Sequence, residues 1–238
     1  MDLKDSVILV TGASRGLGYE VAHLLAQRRA KLVIAARDAA ALERAAARLR
    51  EHADVVALAL DVSEDAERLV AAGIARFGHV DALINNASEL GPSPMPGLDS
   101  LPWEALQRVL RVNVVAPLHL IQLVLPAMRK RKAGTIINIS SDAGVNSYPG
   151  WGGYGASKAA LEHLSRTLIV ELEGTGVRVL CVDPGDMNTA MHRLAEPDTD
   201  LSHLPGPDKV APAIVALLED ESHVAGRYQA QELEHALR

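Results

Sequence analysis

Apolar residues recur along the chain in two alternating rhythms. Short runs with apolar residues at successive positions, at 7–10, 31–36, 55–60, 82–84, 135–139 and 178–182, read as strands. Such runs suit strands covered on both faces, as in a buried parallel sheet. Between them, stretches near 17–28, 38–51, 64–77, 101–130 and 155–173 carry apolar residues at helical spacing. In the second of these Leu42, Ala45, Ala46 and Leu49 share one face, while Glu43, Arg44, Arg48 and Arg50 face water. The alternation predicts a doubly wound parallel α/β sheet with right-handed crossovers and helices on both faces. The chain has 238 residues and neither a repeat nor a low-complexity linker, so 1–238 is expected to be a single domain.

Two segments break the rhythm. Residues 89–102 hold Pro92, Pro94, Pro96 and Pro102, and residues 186–208 hold Pro197, Pro205 and Pro207. Both follow strand ends, where open α/β sheets bind their ligands. The second mixes Met187, Met191, Leu194 and Leu201 with His192, Arg193 and Asp198, a composition suited to a lid over a bound substrate.

Composition narrows the function classes. A single cysteine, Cys181, excludes a disulfide framework and a cysteine-rich zinc module, and nine histidines show no metal-ligand spacing, so no metal is expected. With 3% aromatics and a net charge of −6, no nucleic-acid partner is expected. The basic run Arg129-Lys130-Arg131-Lys132 reads as the last turn of a helix, complementing its dipole. The charged start Met1-Asp2-Leu3-Lys4-Asp5 is unlike a signal segment. The longest uncharged stretch, 112–128, is broken by Asn113, Pro117, His119, Gln122 and Pro126. No membrane partner is therefore expected, and the cytoplasm is the default location.

Candidate chemistry gathers at the strand ends. The first strand runs into Thr11-Gly12-Ala13-Ser14-Arg15-Gly16-Leu17-Gly18 and then a helix. Glycines there permit a tight turn and close approach of a phosphate, which the helix N-terminus attracts. Arg37 follows the second strand, where an arginine accommodates a 2′-phosphate and an acidic residue accepts from a free 2′-OH. Arg37 and Arg15 therefore favour NADP(H) over NAD(H), although Asp38 at the strand tip would allow dual use. Asp61, before Val62, could accept from an adenine amino group or cap the next helix with Glu64. Ser141 ends a strand; Tyr154 stands thirteen residues on, and Lys158 shares a helix face with it. An ammonium so placed is expected to lower the phenol pKa toward neutrality.

In register, Thr11–Gly18, Asp61-Val62, Asn85-Asn86-Ala87, Asn113, Ser141, Tyr154-x-x-x-Lys158 and Pro184-Gly185 resemble the short-chain dehydrogenase/reductase family in its single-domain form. The resemblance implies a Rossmann-type fold and an oxidoreductase that interconverts a carbonyl and an alcohol on a small organic substrate. It gives Tyr154 the proton transfer, Lys158 the tuning of Tyr154 and a hydrogen bond to the nicotinamide ribose, Ser141 the orientation of the carbonyl, and Asn113 a water leading from Lys158. The cofactor would lie along Gly12, Ser14, Arg15, Gly16, Leu17 and Gly18, then Arg37, Asp61 and Val62. It would continue past Asn86 and Ala87 to Tyr154 and Lys158, and end at Pro184, Gly185, Met187 and Thr189. The family also implies a homodimer or homotetramer through the helices near 101–130 and 155–173. Leu118, Leu120, Ile121, Leu123, Val124 and Leu125 make the first of these apolar on more than one face.

The chain departs from the family at Ser88, where glycine is usual, a change expected to affect turn geometry and not chemistry. It departs again at Gly226-Arg227-Tyr228-Gln229-Ala230-Gln231, which replaces a glycine-rich last strand and leaves that strand open. Gly150-Trp151, Leu90-Gly91-Pro92 and the loop from Asp186 to Met191 are similar to sepiapterin reductases, although Ala230 falls where their pterin-anchoring aspartate stands. A 3-oxoacyl reductase and a catalytically silent NADP-binding sensor are the other readings. The complete Asn113, Ser141, Tyr154 and Lys158 set speaks against the sensor.

Overall fold

The computed structural model describes residues 1–236. Seven strands, β1 (Val7–Thr11), β2 (Lys31–Ala36), β3 (Val55–Ala59), β4 (Ala82–Asn85), β5 (Gly134–Ile139), β6 (Val177–Asp183) and β7 (Gly226–Gln229), form one sheet. Their order is β3-β2-β1-β4-β5-β6-β7, and every pairing is parallel. This is the doubly wound Rossmann-type α/β arrangement that the alternating pattern predicts.

Every residue of β1 is buried because the sheet is covered twice. Successive side chains point to opposite faces. Ile8 and Val10 enter one core with Val21 and Leu25 of α1 (Gly16–Gln27), Leu42 of α2 (Ala39–Leu49), and Ile214 and Leu217 of α8 (Pro207–Glu219). Val7 and Leu9 enter the other with Leu69 of α3 (Ala66–Phe77), Leu120 and Ile121 of α5 (Ala116–Arg131) and Leu168 of α6 (Gly152–Glu171).

The structure departs from the sequence pattern in three places. The helix expected over 101–130 is α4 (Trp103–Leu110) joined to α5 by a π turn, Arg111–Val115, in which the Ala116 N–H donates to the Arg111 carbonyl. A one-residue expansion of this kind leaves the apolar spacing almost unchanged. The stretch Trp103–Arg131 is long and apolar enough to cross a membrane by length and composition, but its buried residues Leu120, Ile121, Val124 and Met128 pack on the sheet. Second, the 186–208 segment contains a short helix, α7 (Ala190–Ala195), and α8 and α9 (Ala230–Ala236) follow it. Pro207 at the first turn of α8 was its local signal. Third, the atypical C-terminal run does form a last strand: β7 pairs with β6, Arg227 opposite Cys181.

One side chain ties α8 and the approach to β7 to the sheet. Arg178 on β6 donates to the carbonyls of Leu217, Asp220 and His223 at 3.2, 3.2 and 3.0 Å, and to Thr135 Oγ1 at 3.3 Å. These carbonyls lie at and beyond the helix end, where helical partners run out. Arg178→Met leaves them without donors and should destabilise the protein by about 1–3 kcal/mol. Urea unfolding reads this directly, and an unchanged midpoint would refute it.

Candidate active site

A cleft of roughly 720 Å³ opens at the carboxyl ends of the strands. Its floor begins at the glycine turn. Gly12 has φ +69°, and a Cβ there would lie 2.9 Å from Ala87 Cα. A Cβ on Gly18 would lie 2.6 Å from the Gly12 carbonyl oxygen, so both positions require glycine. The turn is stitched to the end of β4. Thr11 Oγ1 accepts from the Asn86 and Ala87 N–H groups, each at 3.0 Å, and Asn86 Nδ2 donates to the Thr11 carbonyl at 2.9 Å. No side chain caps α1, and Gly16, with φ +60°, faces open space. The first-turn N–H groups are thus presented to the cleft as an anion cradle.

At the outer end, exposed Arg37 pairs with Glu89 Oε2 at 3.1 Å across the cleft. Asp38 is the N-cap of α2, its Oδ1 accepting from the Ala41 N–H at 2.9 Å. Asp61 does not cap α3, whose N-cap position is Asp65. Its Oδ1 accepts from the Ser63 N–H at 2.9 Å and Ser63 Oγ at 2.7 Å. Burial pushes the Asp61 carboxyl up, but the Ser63 hydrogen bonds and the charges of Arg37 and Arg111 hold it below its usual range.

At the inner end, Tyr154 and Lys158 lie one turn apart on α6, both buried. Lys158 Nζ sits 5.4 Å from the Tyr154 ring centroid and donates to the Ile139 carbonyl at 2.8 Å. Burial lowers the Lys158 ammonium to about 8, against the pull of Cys181, Asp183 and Glu162. The phenol moves opposite to the sequence expectation. Burial pushes Tyr154 up to about 12, hydroxyl contacts from Ser141 and Ser88 oppose this, and Asp183 and Asp142 add to it. The ammonium reaches a carbonyl and the ring, and desolvation of the phenolate dominates. Ser88, read from sequence as a matter of turn geometry, thus works against the rise of the phenol. It also donates to Asn113 Oδ1 at 3.2 Å.

Asn113 is buried on the π turn with all four amide hydrogen-bonding positions used. Oδ1 accepts from the Glu89 N–H at 2.7 Å and from Ser88, while Nδ2 donates to the Glu89 carbonyl at 2.8 Å and Ser157 Oγ at 2.9 Å. Its side chain has no position left for a water. Ser141 Oγ donates to Asp142 Oδ1 at 3.1 Å and accepts from the Ala143 N–H at 3.2 Å, capping a 3-10 turn.

The late loop closes the inner end. Thr189 caps α7 through the His192 N–H at 3.2 Å, and His192 contacts the Met187 carbonyl at 3.1 Å. Trp151 lies edge-on to both Tyr154 and His192, with centroids 5.7 and 6.2 Å away.

The cleft brings together Gly12, Ser14, Arg15, Gly16, Leu17, Arg37, Asp61, Val62, Asn86, Ala87, Tyr154, Lys158, Pro184, Met187 and Thr189. Gly18, Asn113, Ser141 and Gly185 are not among its lining residues; Gly18 and Asn113 support the wall from behind. Gly185, with φ +71°, lies against the Gln231 side chain. Ser88 and Val112, to which sequence reasoning gave no site role, also line the cleft, as do Glu89 and Leu90 of the 89–102 segment. The departure from the family pattern was the signal at Ser88, and the place of 89–102 after a strand end was the signal at Glu89 and Leu90. Among the described residues no group of three or more His, Cys, Asp or Glu side chains could hold a metal ion. The uncapped α1 turn, the glycine cradle and the long cleft from Arg37 to Lys158 fit a nicotinamide dinucleotide.

The short chain dehydrogenase family model matches residues 6–200. An uncharacterized oxidoreductase of Listeria monocytogenes is 38% identical over 196 residues, covering 80% of this chain and 78% of its own. Dehydrogenase/reductase SDR family member 4 of Bos taurus is 36% identical, covering 94% of this chain and 85% of its own. A short chain dehydrogenase of Shigella flexneri, solved with NADP, superposes with a TM-score of 0.87 at 31% identity, covering 97% of this chain and 99% of its own. With this match along most of its length and this cleft, the chain belongs to the short-chain dehydrogenase/reductase family of NAD(P)-dependent oxidoreductases.

Proposed function

We propose that residues 1–238 form one catalytic domain that uses NADP(H) to interconvert a carbonyl and an alcohol on a small organic substrate. The observation that carries this is the buried Tyr154 phenol lining the inner end of the cleft, with the Lys158 ammonium 5.4 Å from its ring centroid. The bound nicotinamide dinucleotide supplies or accepts the hydride. Tyr154 is protonated at neutral pH and donates to a carbonyl oxygen held within its reach. The Ser141 hydroxyl, released from Asp142, steadies the charge developing on that oxygen. Lys158 supplies positive charge beside the phenolate left behind. Its proton path, if through Asn113, uses the backbone of the π turn, because the amide is fully engaged. The segment carrying α7 closes over the substrate and excludes water.

NADP(H) is favoured because Arg37 and Arg15 both line the cleft, while Asp38 beside them spends one carboxylate oxygen capping α2. A 2′-phosphate would compete with Glu89 for Arg37. The Shigella relative that holds NADP supports the same reading. The sepiapterin-reductase reading loses its anchor, since Ala230 is only 1% exposed and packs in the core. Apolar residues left on α4, α6 and the π turn, Trp103, Val170 and Val115 at 65%, 72% and 56% exposure, suit a homodimer or homotetramer built on these helices.

Three outcomes are expected. Tyr154→Phe should lower kcat by at least ~10²-fold, the usual worth of a general acid, while NADPH still binds in a fluorescence titration. A variant retaining a tenth of the wild-type kcat would remove Tyr154 from this role. Arg37→Ala should weaken NADPH binding by about tenfold or more and leave NADH binding nearly unchanged; equal losses would overturn the cofactor preference. Light scattering should give a mass at least twice the 25.4 kDa of one chain, and a monomer would contradict the assembly.

A further inference from the structure

The atypical last strand brings a charge to the back of the site. Arg227 on β7 donates from Nε to Glu162 Oε1 at 2.9 Å and from Nη2 to Asp183 Oδ2 at 3.1 Å. The two carboxylates are 3% and 4% exposed, and the Arg227 side chain, 28% exposed, closes over them from the solvent edge. Glu162 lies one turn beyond Lys158 on α6, and Asp183 ends β6. Ser140 Oγ also donates to Glu162 at 2.7 Å, and Arg166 stands 3.7 Å from its other oxygen. The Gly185 N–H donates to Asp183 Oδ1 at 2.9 Å. These hydrogen bonds make Glu162 and Asp183 a built, satisfied pair.

Lys158 needs such a pair. It is 3% exposed, and among the described residues no carboxylate forms an ion pair with it, its one hydrogen-bond partner being the Ile139 carbonyl. A buried ammonium without a contact counter-ion stays charged only through the field of ionised groups nearby. Cys181 and Asp183 on β6 and Glu162 on its own helix act on it, with Tyr154 one turn earlier; burial pushes the Cys181 thiol up to about 11, so near neutrality the charge comes from the two carboxylates. Two carboxylates this deeply buried tend in turn to take up protons unless paired. Burial does raise the Asp183 carboxyl, and Arg227 is among the groups that oppose the rise.

We propose that Arg227 is a positioning residue: by bridging Glu162 and Asp183, it holds in place the two carboxylates that stand as counter-charge to Lys158. This rests on the reading of Lys158 as a working cation beside Tyr154. It gives the departure from the family's last strand a role in the site, 65 residues along the chain from Glu162.

The test measures charge directly, on the full-length protein without cofactor. The Lys158 side-chain carbons, assigned with Lys158→Met, and the Asp183 carboxyl carbon are followed by NMR across pH. In the wild type Lys158 should titrate near about 8. The near-isosteric Glu162→Gln should lower that midpoint by roughly half a unit or more. Arg227→Met should raise the Asp183 midpoint by about one unit, and Arg227→Lys should restore most of it. In kcat/KM profiles for carbonyl reduction, Glu162→Gln should move the alkaline limb down. An unmoved Lys158 midpoint in folded Glu162→Gln overturns the proposal, and that variant suffices if Arg227→Met does not fold. An unmoved Asp183 midpoint in folded Arg227→Met overturns it equally. Shifted midpoints with unchanged kcat/KM profiles would uphold the clamp and refute instead the reading of Lys158 as a working cation.

Discussion

Both faces of the sheet are covered, and most of the site's organisation follows from that constraint. β1 has no solvent-facing side, so its residues are apolar up to Thr11, where the strand runs out. Polar chemistry can gather only where strands end and helices begin, since elsewhere it would need partners inside the cores. Thr11 shows how little slack remains at that boundary: the residue is 1% exposed and its hydroxyl accepts two N–H groups from the end of β4. The cleft is therefore a rigid product of the strand register. The glycine turn can lie close to Asn86 and Ala87 because no Cβ stands between them.

The same constraint sets the electrostatics at the inner end. Tyr154 and Lys158 are removed from water on the helix that covers the sheet, and burial moves each toward its neutral form, the phenol up and the ammonium down. Neutral phenol is the form needed to give a proton. A neutral lysine would be of little use beside a phenolate. The opposing influences are hydroxyls on the phenol, from Ser141 and Ser88, and carboxylates behind the lysine, from Glu162 and Asp183. Glu162 and Asp183 sit on different elements from Arg227, and Ser88 on a different element from Asn113, so the local arrangement depends on assembly of the whole sheet edge.

The π turn at Asn113 belongs to the same organisation. Widening the helix by one residue there accompanies an amide engaged with Ser88, Glu89 and Ser157, which links the β4 loop, the α4–α5 helix and α6 through one side chain. Such expansions often mark functional positions, and here the cost of the irregular turn is offset by four hydrogen bonds.

The chain by itself determined what depends on near neighbours. Six strands could be read from short apolar runs, α2 from Leu42, Ala45, Ala46 and Leu49, and the glycine turn from its place after the first strand. The one-turn spacing of Tyr154 and Lys158 is a property of any helix. Tertiary structure decided whatever depends on partners far along the chain. The strand Gly226–Gln229 has almost no apolar pattern and exists because β6 offers it a ladder. The helix Pro207–Glu219 gains its place from packing on α1 and from Arg178 at its end. Asp61 had two roles open in the sequence, and the structure excludes one of them, since Asp65 is the N-cap of α3 while Asp61 turns back to Ser63. The direction of the Tyr154 shift reversed because spacing shows that an ammonium is near but says nothing about how much water is removed. Spacing along a chain encodes local geometry, whereas desolvation and charge pairing are sums over everything that packs around a group.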